Sequence, residues 1–503
     1  MEINELTAAE RRVWEAFPRG ETVDFRTTDL RATTPENPAQ GDTWGPERTV
    51  RAEVLKALLM GGDRTDGRTA EVRLAGVRVT GRLYVGYGTV DCPVRLESCY
   101  FDEELGLYGA QIRQLELNES VLPGLNAATV RIDGVLRITG CRIARLVRLG
   151  GARIAGALFL DRAEIGTEIG TAGPDSDPAQ EREPVLQLNH ATLGADVWGP
   201  GLIAHGQVRM LGAEVAGSVN LDDARLHHPD GTALHAENLS VGADVRAMRL
   251  QARGRVNLRG ARIPGQLNLA HASLANPGGT ALRASSAMIG ELWLRDAEPI
   301  EGLVNLRRAQ LELLHVAPEV WPHEVRLDGL TYATLTPHEP AERRLPLLER
   351  DEGAYVPYAY EQLTTTYRRI GDDYAARTVQ LAKQRRHRAT LAWYARVWGY
   401  IQDAAVGYGF RPVRAAVWLL SLLLIGSLAY ALDHPRPVNA AEAPDFNPVF
   451  YTLDLLLPII DFGQERAFTP EGPLQNLSYL LIITGWLLAT TIIAGITRAV
   501  SRQ

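Results

Sequence analysis

The chain has 503 residues, more than one ordinary hydrophobic core accommodates, so at least two parts are expected. Its 53 basic and 60 acidic residues leave a net charge of −7, which excludes a globally basic nucleic-acid binder; no nucleic-acid partner is expected. The three cysteines, Cys92, Cys99 and Cys141, have neither metal-ligand spacing nor the density of a disulfide framework, which fits a reducing compartment.

The opening MEINELTAAERRVW lacks the apolar stretch of a secretory signal, so the start is expected to stay in the cytoplasm. Leu6, Val13 and Phe17 share one helical face, and Thr7 followed by Glu10 has the spacing of a capping box. A second helix is expected over PERTVRAEVLKALL, with Val50, Val54, Leu55 and Leu58 inward. Residues 1–68 therefore read as an N-terminal helical cap.

From residue 69 to 336 the texture changes to a repeat. Ile132, Ile143, Ile154 and Ile165 lie eleven residues apart, as do Leu136, Val147 and Leu158, and Ile138, Leu149 and Leu160. Cys141, Ala152 and Ala163 hold a small-residue position on the same step. Apolar residues alternate with Arg, Asn or Glu, the period of a strand with one face buried, and a glycine or polar corner then turns the chain. A longer step overlays it: GTALHAENLSVGADV at Gly231 and GTALRASSAMIGELW at Gly279 start 48 residues apart, and GADV recurs at Gly194 and Gly242. Turn-rich insertions, PDSDPAQEREP, HHPDG and NPGG, precede the copies. Nested periods of this kind indicate a solenoid. Two eleven-residue units predict a coil of roughly 20 to 22 residues and, at ~4.8 Å per coil, a rod about 50–60 Å long. The pattern resembles pentapeptide-repeat proteins, which implies a mainly β fold, a right-handed parallel quadrilateral β-helix with small and aliphatic residues inside.

Residues 337–410 read as a helical hairpin and basic juxtamembrane linker. Tyr360, Leu363 and Tyr367 form one apolar edge, Gly371 breaks it, and Tyr374, Val379 and Leu381 belong to the next. The pair resembles a single hairpin of the tetratricopeptide type. Lys383, Arg385, Arg386, Arg388, Arg411 and Arg414 stand near Trp393, Tyr394 and Trp398, a composition suited to an anionic lipid surface.

Residues 411–503 contain two uncharged runs, Ala415 to Leu432 and Leu477 to Ile496, each about the length that ~30 Å of hydrocarbon requires, which predicts two C-terminal transmembrane helices. The excess of basic residues before the first run and after the second places both termini in the cytoplasm of a bacterial inner membrane. Between them, 446–468 is expected to be a re-entrant segment: a short helix from Asn447 with Phe450, Leu453 and Leu457 on one face, a break at Pro458, and a turn at Gly463. The order resembles the pore module of two-span cation channels, although Pro458 to Gln464 departs from the potassium filter and only Phe462 and Gly463 echo it. By that resemblance the pore-lining set is Asp454, Asp461, Phe462, Gly463 and Glu465.

These parts imply a membrane-tethered cytoplasmic β-helical scaffold or interaction protein. The alternative is an oligomeric ion channel gated through its β-helical domain. The expected partners are the lipid bilayer, a protein on the β-helix face and further copies of the chain. No cofactor or metal is expected, because no dinucleotide, P-loop or zinc-peptidase motif occurs. A membrane-associated oxidoreductase finds no support for that reason. A sugar-acting β-helix enzyme would have only Asp222, Asp223 and the acidic stretch Asp175 to Glu183 to draw on, and solvated turns account for both.

Overall fold

The structure, a computed structural model, describes residues 5–26, 37–62, 69–167, 184–351, 355–406, 412–439, 443–457 and 461–500. The acidic stretch 175–183 and Pro458 lie outside these residues. Two compact units divide the chain, 1–362 and 363–503.

Unit 1 is a parallel β-solenoid of about 11 turns. One coil consists of four two-residue strands, Arg131–Ile132, Leu136–Arg137, Arg142–Ile143 and Val147–Arg148. The first two belong to one long sheet, here the A wall, and the last two to a second, the B wall. Ile132 pairs in register with Ile154 and Leu136 with Leu158, so a coil takes 22 residues, two of the eleven-residue units. Each inward aliphatic therefore sits on its own counterpart. Leu136, Leu158, Val197, Val219 and Val245 form one such ladder, all at most 4 % exposed. Burying side chains of this size contributes roughly 1.5–3 kcal/mol each.

The corners explain the small-residue position. The Ala152 amide donates to the Leu149 carbonyl and the Ala163 amide to the Leu160 carbonyl, both at 3.0 Å, closing four-residue turns. The third turn residue is left-handed: φ is 64° at Gly140, 66° at Gly151 and 54° at Arg162. The residue after it, Cys141, Ala152 or Ala163, is fully buried and must be small to let the next side begin. The 48-residue period is one coil of 22 residues plus one of 26. The extra residues HHPDG and NPGG lie within the strands Arg225–His235 and Ser273–Arg283, where pairing shifts register and then resumes.

Helix α1 (Ala8–Ala16) carries the capping box: Thr7 accepts from the Glu10 amide and Glu10 accepts from the Thr7 amide. With α2 (Ala52–Gly61) it buries Val13, Phe17, Val54, Leu55 and Leu58. The region also contributes strands: Thr22–Asp24 pairs with Val72–Ala75, and Thr49–Arg51 with Arg78–Thr80, so sheet pairing starts upstream of residue 69. Glu10 is the clasp of this end, accepting from the Arg51 guanidinium at 2.7 and 2.8 Å and from the Arg51 amide at 3.1 Å. At the other end α3 (Ala341–Glu349) buries Arg344, which donates to the Val316 carbonyl. Asp351 accepts the Leu327 amide at 2.8 Å and Arg350 donates to the Trp321 and Pro322 carbonyls, so polar groups cover the last coil where no further coil stacks.

In unit 2, α5 (Asp373–Thr390) and α6 (Trp393–Val406) form a hairpin; α4 (Pro357–Arg369), in which the division between units falls, leads into it. Leu363, Tyr367, Val379 and Leu381 are buried, but Tyr374 is exposed and does not share their edge. Helices α7 (Pro412–Leu432), α8 (Pro448–Leu456) and α10 (Pro473–Val500) pack around an aromatic cluster of Tyr430, Tyr451, Leu455, Leu456, Phe468 and Leu481. The buried face of α8 is Tyr451, Asp454 and Leu455, and the predicted face residue Phe450 is exposed. The close approach of α10 to α8 depends on Gly485, where a Cβ would stand 2.3 Å from the Leu456 carbonyl oxygen.

The two predicted transmembrane helices are corrected by this arrangement. Among the described residues no helix is long and apolar enough to cross a membrane. The uncharged runs belong to α7 and α10, where Gly426, Tyr430, Leu481 and Gly485 are used to pack the helices around α8. Ser421, Ser427, Ser478 and Thr484 interrupt the same runs. A run that reads as lipid-facing by hydropathy alone thus includes a helix-packing face.

Replacing Leu158 with Asp places a charge among stacked aliphatics and is expected to abolish the cooperative thermal transition of unit 1, followed by circular dichroism. Burial alone would raise the Glu10 pKa, but the hydrogen bonds from Arg51 and Thr7 overcome it and hold it at about 2. Its contribution is present above the ordinary carboxylate range and is lost as pH falls through about 2. Glu10→Gln is expected to cost roughly 2 kcal/mol at neutral pH, with the partly exposed Arg51 limiting the loss. Urea titrations of the two chains should converge as pH is lowered toward 2.

Candidate functional site

The solenoid repeats whatever points outward as faithfully as what points inward, so its walls are ladders of polar side chains. On the A wall, Arg95, Glu116, Arg137, Phe159, Trp198, Asn220 and Arg246 stand on successive coils. Carboxylates pair with some of the cations here. Arg95 meets Glu71 at 3.2 Å and Glu116 at 3.4 Å, Arg246 meets Asp222 at 3.0 Å, and Arg249 meets Asp223 at 2.6 Å. Asp222 and Asp223 are thus ion-pair partners on this wall. Arg137 lies 3.8 Å over the Phe159 ring, and Trp198, on the next coil, is 41 % exposed. Glu97, Glu116, Asn118, Glu119, Arg137 and Thr139 line a shallow concavity of about 430 Å³. Near the first coils a second aromatic patch faces outward, with Tyr87 and Tyr108 edge to face at 5.3 Å and Arg82 over Tyr84 at 5.4 Å.

The B wall has a different composition. Asn126, Arg148, Gln187, Arg209, His235, Asn257, Arg283, Asn305 and Arg326 stack on nine successive coils, without a carboxylate in the ladder. Glu237, two residues beyond His235, is engaged by His235 at 3.8 Å and by the Asn257 amide at 3.0 Å. Burial lowers the His235 pKa against the pull of Glu237, and the charges of Arg209 and Arg255 add to the lowering. Among the described residues Nε of Arg209, Nε of Arg255 and Oε1 of Gln207 are buried without a hydrogen-bond partner. The eleven-residue reading implies stacked outward positions, but a ladder running through the insertions becomes visible only with the register.

In unit 2 the predicted pore-lining residues gather at one turn. The buried Asp454 carboxylate accepts from three backbone amides: Phe462 at 2.6 Å, Gln464 at 2.8 Å and Glu465 at 3.2 Å. Asp461 accepts from the Gly463 amide at 2.8 Å and pairs with Arg466 at 2.9 Å. Gly463 takes φ 79°, the left-handed conformation that lets α9 (Gln464–Ala467) start there. Phe462 is exposed against Phe450 at 5.1 Å. Burial raises the pKa of Glu465, and the neighbouring Asp454 and Asp461 charges raise it further. Asp454 therefore organises the turn in the described chain, with its oxygens occupied by backbone.

The basic residues divide. Arg385 makes a two-pronged pair with Asp403 at 2.9 and 3.0 Å, and Arg388 reaches the same carboxylate at 3.2 Å while lying 3.8 Å over the Tyr400 ring. Burial would raise the Asp403 pKa, but these two guanidiniums lower it. Lys383, Arg386 and Arg414 are partly buried, and Arg411 lies outside the described residues. Asp403 as a hub between α5 and α6 escapes a reading based on local charge density.

All three cysteines are buried, and burial pushes Cys99 and Cys141 up to about 12. Among the described residues no cluster of three metal-ligating side chains occurs. Comparison with protein-family models, curated proteins and solved structures returns no match.

Asp454→Ala leaves three amides without their acceptor. It is expected to destabilise the turn by roughly 2–4 kcal/mol. Native-state hydrogen exchange should show faster exchange at Phe462, Gln464 and Glu465, with the solenoid amides unchanged.

Proposed function

We propose that this chain is a β-solenoid scaffold whose walls dock a protein partner. One observation carries the reading: the rod presents fixed, evenly spaced outward ladders that include exposed aromatic and guanidinium groups. Trp198 is 41 % exposed and Tyr87 74 % exposed on rigid strands and corners. Tyr, Trp and Arg are the side chains that most often anchor protein interfaces, because they combine large contact area with directed polar groups. Rigid backbone lowers the cost of ordering them on binding. The channel alternative rests on two spanning helices and is not carried forward.

The reading is tested with a photoreactive phenylalanine analogue placed singly at Trp198, at Met288, which is exposed on the same A wall, and at Tyr87 in the native cell. Positions sharing one wall are expected to give one discrete protein adduct. Absence of an adduct from every position removes the scaffold reading.

A further inference from the structure

Helices α7 and α10 are apolar on their exposed sides as well as on the side that packs around α8. Twelve of their large hydrophobic side chains are 43 % or more exposed. Leu420, Leu424 and Leu428 follow one helical stripe along α7, and Ile483 is exposed on α10. Together the twelve leave on the order of 1,000 Å² of apolar surface, above the roughly 300–600 Å² of the largest patch on an ordinary monomer. The two helices run in opposite directions: the Tyr430 hydroxyl of α7 donates to the Leu474 carbonyl at the start of α10 at 3.2 Å, and Gly426 faces Leu481. Trp418 lies twelve residues before Tyr430 and Trp486 twelve after Leu474, so both stand about 18 Å from that contact, at one end of the pair. Both indoles are half exposed. Charge divides along the same axis. From Lys383 to Arg414, leading into the tryptophan end, the chain has seven basic residues and one acidic; from Asp433 to Glu471, joining the other ends, it has two basic and seven acidic.

We infer that the exposed face of α7 and α10 docks into the surface of an anionic lipid bilayer, with the aliphatic stripe against acyl chains, Trp418 and Trp486 at the headgroup level and Arg414 beside the phosphates. Only one face of the pair is engaged, and no crossing of the bilayer is required. The contact is independent of whatever the solenoid walls hold. Buried apolar area supplies the affinity of such a contact, and the attraction of cations to anionic lipid sets its orientation. Tryptophan suits the boundary because its ring is apolar and its N–H is polar. The acidic end is repelled by the same lipids, so Asp433 and Glu471 turn to water. A second copy of the chain would also cover the aliphatics, but it does not account for indoles and cations gathered at the same end.

The full chain is floated on a density gradient with vesicles of phosphatidylcholine, alone or mixed with phosphatidylglycerol. It is expected to float with the mixed vesicles and less with the neutral ones. Its partition should fall at least about tenfold in a Leu420→Glu, Leu424→Glu, Ile483→Glu chain. Arg414→Gln is expected to lower partition to the mixed vesicles about fivefold and to change the neutral ones little. Circular dichroism checks the fold of the glutamate chain. If that fold is lost, quenching by brominated acyl chains is read instead: it is expected in the unsubstituted chain and much reduced in a Trp418→Phe, Trp486→Phe chain. Flotation with neither vesicle, flotation unchanged by the glutamates, quenching unchanged by the phenylalanines, or a dimer that the glutamates split while vesicles bind neither chain each overturns the proposal.

Discussion

Everything in unit 1 depends on register. A parallel coil is stable only if each amide finds a carbonyl one turn away, and that turn must return the chain to the same lateral position. The 22-residue step achieves this because each eleven-residue half closes with a left-handed corner followed by a small buried residue. A bulky residue at Cys141, Ala152 or Ala163 would displace the corner, and with it the pairing on both neighbours. The aliphatic ladders follow from the same constraint, since identical positions stack and fill the interior without requiring complementary shapes.

Three carboxylates have a parallel role. Glu10, Asp403 and Asp454 each sit where two chain segments must be joined, and each holds more than one donor. A carboxylate can accept several hydrogen bonds at once, so a single side chain satisfies a turn or a guanidinium pair that would otherwise be costly to bury. Asp454 shows how function and architecture can be confused in a linear reading. An acidic residue in an apolar segment invites a role in ion handling, yet here its oxygens are taken up by the backbone that it folds.

What was legible in the sequence follows periodicity. Ile132, Leu136, Ile138 and their counterparts announce the solenoid because each inward position repeats at a fixed interval, and Thr7 with Glu10 announces a helix start because the signal is local. The strands Thr22–Asp24 and Thr49–Arg51 are not legible: three residues each, separated by helix and loop, they have no period of their own and become strands only by pairing on Val72–Ala75 and Arg78–Thr80. The Arg385 and Arg388 contacts with Asp403 span 18 and 15 residues across a hairpin, beyond any local rule. The apolar runs of α7 and α10 have no such pattern either: Tyr430 and Leu481 are buried in one cluster with Tyr451, while Val417, Leu420, Leu424 and Ile483 are exposed, a division that hydropathy does not register. The ladder of the B wall needed both the period and its interruptions, because its rungs come from coils of unequal length.

Those unequal coils separate two properties that most folds couple. HHPDG and NPGG enlarge the outline of single turns, yet Val208, Leu234, Val256 and Leu282 still stack beneath them. The inner gauge of the rod is thus insulated from changes in its outer contour. Such a molecule can acquire loops, lose them, or vary its surface chemistry one level at a time, while the spacing between levels, and so the ruler it offers to whatever lies along it, stays constant.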